Sequence, residues 1–452
     1  MSLRVISRRA QGLAVAVSYP QGTINGSNIE EADMARISQR HGGLLARVAV
    51  GTSLVLGIAA CGQSTSTASG PVNVGVPAGY SGTTIIYGTP WFDGVQTAVN
   101  YINKYGGADG HKIHLIPVNT ASDPVDAVTA IRQMLAADNI VLSIGLAALD
   151  WTDALPILNQ QKMVSFTHIG SPAIDKLNMP YSYSTGPSDA VEGAAVAEYA
   201  NSKGYHNVAV VFDASQSAQT LVPSLTHAAG VLGMNIVTQP SIPVGAPSYE
   251  AEVQQIINSH PDAILLQLDP GTSGTFFPEL RALGGANIPI IATDVSLDPN
   301  WVKAVGASYY AAHVTSIEAA TQATGPGLAT FNSGFEAQYH KAAAFLSIYG
   351  YDGMTVAALA MDEAKSTDPS VYYSHVLDVT TPGPGITNVY TYQQGAALLA
   401  QGKKIKYVGV GSPDTYNQFH RVAATFAAEQ LQPSGTVTLI QNIPAISLQP
   451  LL

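Results

Sequence analysis

Four aspartates stand where apolar runs end: Asp150 after 140–145, Asp213 after 207–212, Asp269 after 263–268 and Asp294 after 288–292. Carboxylates at the ends of strands can hold an amine or a hydroxyl, and if paired they can move protons. The other candidates that could line a site are Tyr87 and Trp91, the segment Ala147, Ala148, Leu149, Asp150 and Trp151, then His168, Ile169, Ser171 and Thr185, and Ser217 beside Asp213. Four carboxylates with few basic partners favour a ligand that is neutral, hydroxylated or cationic, because an anion beside them is repelled. An amide, polyol, amine or aromatic solute is allowed beside an amino acid. Each residue also has a plainer role. Asp150 and Asp213 stand at helix N-cap positions, and Asp269 before Pro270-Gly271 suits a turn. His168 can fill a loop by hydrogen bonding, and Tyr87 and Trp91 can pack a rim.

Catalytic signatures are missing. The chain has no G-x-S-x-G elbow, Walker loop, H-E-x-x-H or strand-following G-x-G-x-x-G. Gly271-Thr272-Ser273-Gly274 lacks their spacing, and His111 and His114 fall on opposite faces of a strand. The expectation is a binding protein, not an enzyme, with no metal and no cofactor.

The elements that must position these residues alternate. The opening unit, 72–135, reads strand (72–76), loop (79–88), helix (92–105), strand (112–119) and helix (125–137). Further strands fall at 140–145, 163–167 and 181–185, with a helix from about Trp151 that Asp150 is placed to cap. After 186–188 the pattern restarts. Strands are expected at 207–212, 235–239, 263–268 and 288–292, and helices at 190–203, 217–232, 249–259 and 276–283. Past Val314 the chain returns to the first half through helices at 329–344, 351–365 and 391–401, and it ends in strands near 422–429 and 436–441. Two such runs mean an α/β fold of two Rossmann-like lobes with parallel-rich sheets, whose ligands sit at the carboxyl ends of the strands.

A 452-residue chain exceeds one ordinary core, so two lobes are also the expectation from length. Charged residues are 11% and the formal net charge is −11, which argues against nucleic acid. One cysteine and abundant small residues fit an exported protein without disulfides. No stretch after residue 61 approaches about 18 uninterrupted apolar residues.

The first 33 residues read as an over-extended start, with Met34 as initiator. Arg36, Arg40 and Arg47 then form a basic region, and an apolar run over 48–60 precedes Cys61. This resembles a bacterial lipoprotein signal peptide, with Cys61 as the residue lipidated after cleavage. The Ser/Thr/Gly-rich stretch after Cys61 reads as a tether.

Residues 72–314 carry a further resemblance. Tyr87-Gly88 is followed by Phe92-Asp93-Gly94-Val95-Gln96-Thr97-Ala98, Tyr101-Ile102-Asn103, Gly106-Gly107 and Gly110, then by Ser122-Asp123-Pro124, Ala127-Val128 and Ile144-Gly145. Asp213 and Thr293-Asp294 complete the pattern. It is similar to the type I periplasmic solute-binding proteins, in particular the branched-chain amino acid (leucine/isoleucine/valine) binding family. The resemblance implies two lobes joined by a three-strand hinge that close on a small solute, with lobe 1 at 72–187 and 316–418 and lobe 2 at 188–315 and 419–446. Residues 1–60 are then leader and 61–71 lipidated Cys and tether. It also implies a monomer outside the cytoplasmic membrane that delivers its solute to an ABC permease, or a sensor that signals to a membrane kinase. In that family serines or threonines after the third strand hold a ligand carboxylate, and an acid near Asp294 pairs with its ammonium. Here Ala147-Ala148-Leu149-Asp150 stands where those hydroxyls are expected, and Asp150 would repel a carboxylate.

Overall fold

A computed structural model describes residues 70–452 apart from 83, 138, 147–149, 321–324, 413 and 423. The leader, Cys61 and most of the tether therefore lie outside the described residues, as do Ala147, Ala148 and Leu149. In the first half β1 (Val72–Ala78), α1 (Ile85–Lys104), β2 (Ile113–Asn119), α2 (Pro124–Ala137), β3 (Ile140–Ile144), α3 (Ala154–Gln160), β4 (Ser165–Thr167) and β5 (Ser182–Ser184) follow in turn. Their five strands form a parallel sheet in the order β2-β1-β3-β4-β5. The second half starts with α4 (Asp189–Ser202), β6 (Asn207–Phe212), α5 (Gln216–Val231), β7 (Asn235–Thr238), α6 (Glu250–Asn258), β8 (Ala263–Gln267) and α7 (Pro270–Ala282). It continues through β9 (Ile290–Ala292), α8 (Pro299–Val305), α9 (Ala307–His313) and β10 (Val314–Ala319).

The chain then passes to α10 (Pro326–Tyr339), α11 (Phe345–Ala364), α12 (Pro369–Tyr372), α13 (His375–Asp378), β11 (Thr387–Val389), α14 (Tyr392–Leu399) and β12 (Ile405–Tyr407). Phe331, Tyr349, Met354, Leu359 and Tyr407 from this stretch pack in one core with Val74, Val95 and Ile144, so it belongs to the first lobe. Finally β13 (Phe426–Leu431), β14 (Val437–Ile443) and α15 (Ala445–Leu448) rejoin the second lobe. Its seven-stranded sheet has the order β14-β13-β10-β9-β8-β6-β7, parallel except where β13 meets β10 and β14. The expected two-lobed α/β architecture stands, and the chain passes between the lobes three times, after β5, β10 and β12. β6 and β8 are continuous apolar runs because central parallel strands are covered on both faces.

Several boundaries differ from the sequence reading. β10 is a strand of the second sheet, so the chain leaves that lobe past Ala319 rather than at 315/316. The loop expected over 79–88 ends early, because α1 begins at Ile85 and carries Pro90 inside it. α3 starts at Ala154 with Asp153 at its N-cap position, which leaves Asp150 outside the helix it was expected to cap. α7 begins at Pro270, and its N-cap is Asp269. The last two strands lie a few residues later than expected, because the segment before Phe426 is the third passage between lobes.

Two glycines set the wall of the first lobe. A Cβ on Gly94 would sit 1.8 Å from the Ser347 carbonyl oxygen, and one on Gly350 would sit 2.6 Å from the Trp91 carbonyl oxygen. α1 and α11 thus touch backbone to backbone, which no larger residue permits.

Candidate ligand-binding cleft

In open parallel sheets ligands gather at the carboxyl ends of strands where the strand order reverses. In the first sheet that point lies between β1 and β3. A pocket opens there, lined by Ala78 and Gly79 after β1, Gly145 and Leu146 after β3, and Tyr87, Trp91 and His168. Its free volume is about 20 Å³, room for little more than one water. Trp91 is buried at 4% exposure and donates from Nε1 to the Ile144 carbonyl at 3.2 Å, so it is the floor of the pocket and not a rim residue. The His168 ring lies 4.9 Å from that of Tyr349 and 6.2 Å from that of Trp91. Burial lowers the His168 pKa to about 4, so the imidazole is neutral at neutral pH.

Tyr87 is the pocket's exposed aromatic, in the first turn of α1. Its phenol is pushed up to about 12, by burial first and then by Asp294, Asp298 and Asp269 of the second lobe. The two lobes therefore face one another closely here, an aromatic wall against an acidic one.

The acidic wall is larger than sequence reasoning found. Asp294 follows β9, and its backbone N–H donates to Glu192 Oε1 at 3.0 Å. Burial raises Asp294 to about 6 and Asp189 to about 7, the latter although Thr220 Oγ1 donates to it at 2.5 Å. Glu192 and Glu318 are raised well above their ordinary value, by burial first and then by Asp294 and other carboxylates. After burial, the charged groups that raise Asp189, Glu192 and Glu318 are other carboxylates, Asp294 among them in each case. Tyr349 of the first lobe also feels Glu318, Asp294 and Glu192 after the effect of its own burial. Glu318 lines a second hollow of about 520 Å³ with Phe331, Glu336, Lys341 and Ile348.

The structure separates the other candidates. Asp150 is buried and accepts from Thr120 Oγ1 at 2.5 Å, so its carboxylate is engaged within its own lobe. Asp213 is fully buried. It accepts from the Ser215 N–H and hydroxyl, and from the Asp269 N–H at 2.6 Å, while Ser215 is the N-cap of α5. Asp269 accepts from the N–H groups of Gly271 and Thr272 and from the Thr272 hydroxyl. Ser217 sits in the first turn of α5, its Oγ 3.3 Å from that of Ser215. Trp151 and Ile169 pack in a core cluster. Ser171 caps the short turn Pro172–Ile174, and Thr185 is buried, donating to the Thr167 carbonyl at 3.4 Å. Of the four strand-end aspartates, Asp294 and Asp269 both act on Tyr87; Asp269 is engaged by N–H groups of its own helix, and Asp294 stands beside Glu192.

For a metal, the described residues offer Glu363, His375 and Asp378, whose ligand atoms lie within 4.8 Å of one another. They sit on α11 and α13, outside both hollows, and His375 already faces Asp378 at 2.9 Å. Among the described residues no helix is long and apolar enough to cross a membrane.

Comparison with known proteins adds a relationship. A family model described as periplasmic binding protein matches residues 71–436. The Leu/Ile/Val-binding protein homolog 3 of Brucella melitensis biotype 1 is 25% identical over 340 residues, covering 74% of this chain and 90% of its own. Solved structures share the fold at low identity. The branched-chain amino acid transporter substrate-binding protein LivJ of Streptococcus pneumoniae, in complex with isoleucine, superposes with a TM-score of 0.67 at 17% identity, over 82% of this chain and 99% of its own. A solute-binding protein of an ABC transporter from R. palustris, in complex with benzoate, gives 0.65 at 15% identity, over 82% of this chain and 96% of its own.

Proposed function

The chain belongs to the periplasmic binding protein family, and we propose that it captures a small solute bearing a positive charge between its two lobes. The observation that supports this reading is the group Asp294, Glu192, Asp189 and Glu318, in which Asp294 helps to raise each of the other three. Holding acids together in a poorly solvated site is costly unless they are protonated or meet a cation. An ammonium or amidinium entering from the cleft supplies that cation, while the exposed ring of Tyr87 offers a surface to a flat or apolar body. Amines, amino amides and amino acids fit this description. A simple carboxylate does not, because it would face the acids.

The solute is handed to an ABC permease by hinge closure, and the receptor works as a monomer outside the cytoplasmic membrane, held there by lipid on Cys61. The binding-protein and transporter roles of the related proteins support the delivery step, and the leader-like residues before Cys61 support the anchor. Thermal-shift and calorimetric screening of the purified protein tests the binding step. A solute at 100 times its Kd adds about 2.7 kcal/mol to stability. If amine, amide, amino-acid and aromatic libraries all leave the melting point unmoved, the reading fails.

A further inference from the structure

The hinge holds a buried charge that makes no side-chain hydrogen bond among the described residues. Arg421 lies on the third passage between the lobes and forms a bridge with Ser184, where the first passage begins. Its backbone is pinned, since its carbonyl accepts from the Asn417 N–H at 2.9 Å and the neighbouring His420 carbonyl accepts from the Ser184 N–H at 3.0 Å. Its side chain is not. The residue is 6% exposed, and Nε, Nη1 and Nη2 each show less than 1 Å² of surface and have no hydrogen-bond partner among the described residues. A buried guanidinium without an acceptor is among the costlier arrangements a fold can contain.

Solvent does not resolve this. Each of these nitrogens shows less than 1 Å² of surface, so solvent reaches them only marginally. Neighbouring protein groups are the nearest source of compensation. The carboxylate that acts on Arg421 is Asp175, just past β4 in the first lobe. Its Oδ1 is equally buried and has no hydrogen-bond partner among the described residues, while its Oδ2 accepts from Ser188 Oγ at 2.5 Å. Ser188 is the N-cap of α4, the first helix of the second lobe. Asp175 thus holds the start of the second lobe with one oxygen, and its other oxygen is idle in the neighbourhood of an idle guanidinium.

We propose that Asp175 is a two-position hinge latch, holding Ser188 in the closed-like arrangement seen here and pairing with Arg421 when the lobes rotate apart. This rests on the reading of the lobes as a closing pair. Arg421 and Asp175 are then positioning residues. They never touch the solute, yet they set its apparent affinity, because a binding-competent state that is only partly populated weakens binding in proportion.

The test is the interlobe distance of the solute-free protein. Dyes are placed through Val125→Cys on α2 and Ile446→Cys on α15, both exposed, in a full-length Cys61→Ser background, and read by single-molecule energy transfer. Wild type is expected to show a long and a short distance. Arg421→Met, and Asp175→Asn, which keeps an acceptor for Ser188 but loses the charge, are both expected to leave mainly the short one. Ser188→Ala is expected to leave mainly the long one. If Arg421→Met does not fold, the opposition between Asp175→Asn and Ser188→Ala carries the test. Unchanged distributions in these variants, or shifts of the same sign, overturn the latch. Solute binding, measured separately by calorimetry, stands or falls without reference to this result.

Discussion

The backbone N–H of Asp294 donates to the carboxylate of Glu192 at 3.0 Å, which fixes one acid of the cleft beside another. One N–H cannot offset two carboxylates: burial raises Asp294 to about 6, and burial followed by Asp294 raises Glu192 well above its ordinary value, an imbalance of charge over solvation. That imbalance is what a cationic solute would relieve.

Asp294→Asn should therefore act in opposite directions on binding and stability. A hydrogen bond to a charged group contributes about 1.5–3 kcal/mol, so amine affinity should fall roughly 10- to 100-fold. The melting temperature of the empty protein should rise, because a repelled carboxylate has been removed. Titration calorimetry and a melting curve on the same sample check both.

The empty protein should be more stable at pH 5.5 than at pH 8. Asp189, raised to about 7, and Asp294, Asp352 and Asp362, raised to about 6, owe their shifts first to burial. A carboxyl whose folded pKa lies above its unfolded value stabilises at low pH, and this is lost as pH rises through the folded value. His168 opposes them. Lowered to about 4, it destabilises as pH falls below its unfolded value near 6.5. His420, also lowered by burial, acts in the same sense as His168, and the four acids outweigh these two histidines over this interval. Melting temperatures across the range decide, and a saturating amine should flatten the profile.

Gly94→Ala should loosen the first lobe. The added methyl would lie 1.8 Å from the Ser347 carbonyl oxygen, which belongs to a helix backbone and cannot swing aside. A loss toward the upper end of the roughly 1–3 kcal/mol seen for overpacking is expected, read from the urea midpoint.

Asp269→Ala should behave as a lost helix cap, costing about 1 kcal/mol, while Asp269→Asn should restore most of it. Amine affinity should change little in either. A large affinity loss in the Asn variant would return Asp269 to the ligand set.

The strand-end rule made part of the cleft legible. Central strands such as Ala263–Gln267 must be apolar on both faces, so the polar residue that follows each one stands out. The same rule could not say which aspartates serve the backbone. Asp213 and Asp269 are used up by N–H groups a few residues on, and Asp150 by a threonine 30 residues away in sequence. Glu192 was missed because α4 is built of small residues buried all round, and an acid there reads as a solvated position. The signal was available, since a charge inside a helix with no polar face has to be answered by something. Tyr87 falls in the Gly/Thr/Tyr-rich run 79–88 that reads as a loop, yet α1 begins at Ile85 and continues through Pro90.

The most direct measurement is calorimetry at pH 7.5 with matched pairs of solutes that share a body and differ in charge, such as benzylamine with benzoate and leucinamide with 4-methylpentanoate. Heats of binding are expected from the amine members, weakened by Asp294→Asn, and none from the carboxylates. Binding of the carboxylates with the amines silent would contradict a cation-holding cleft.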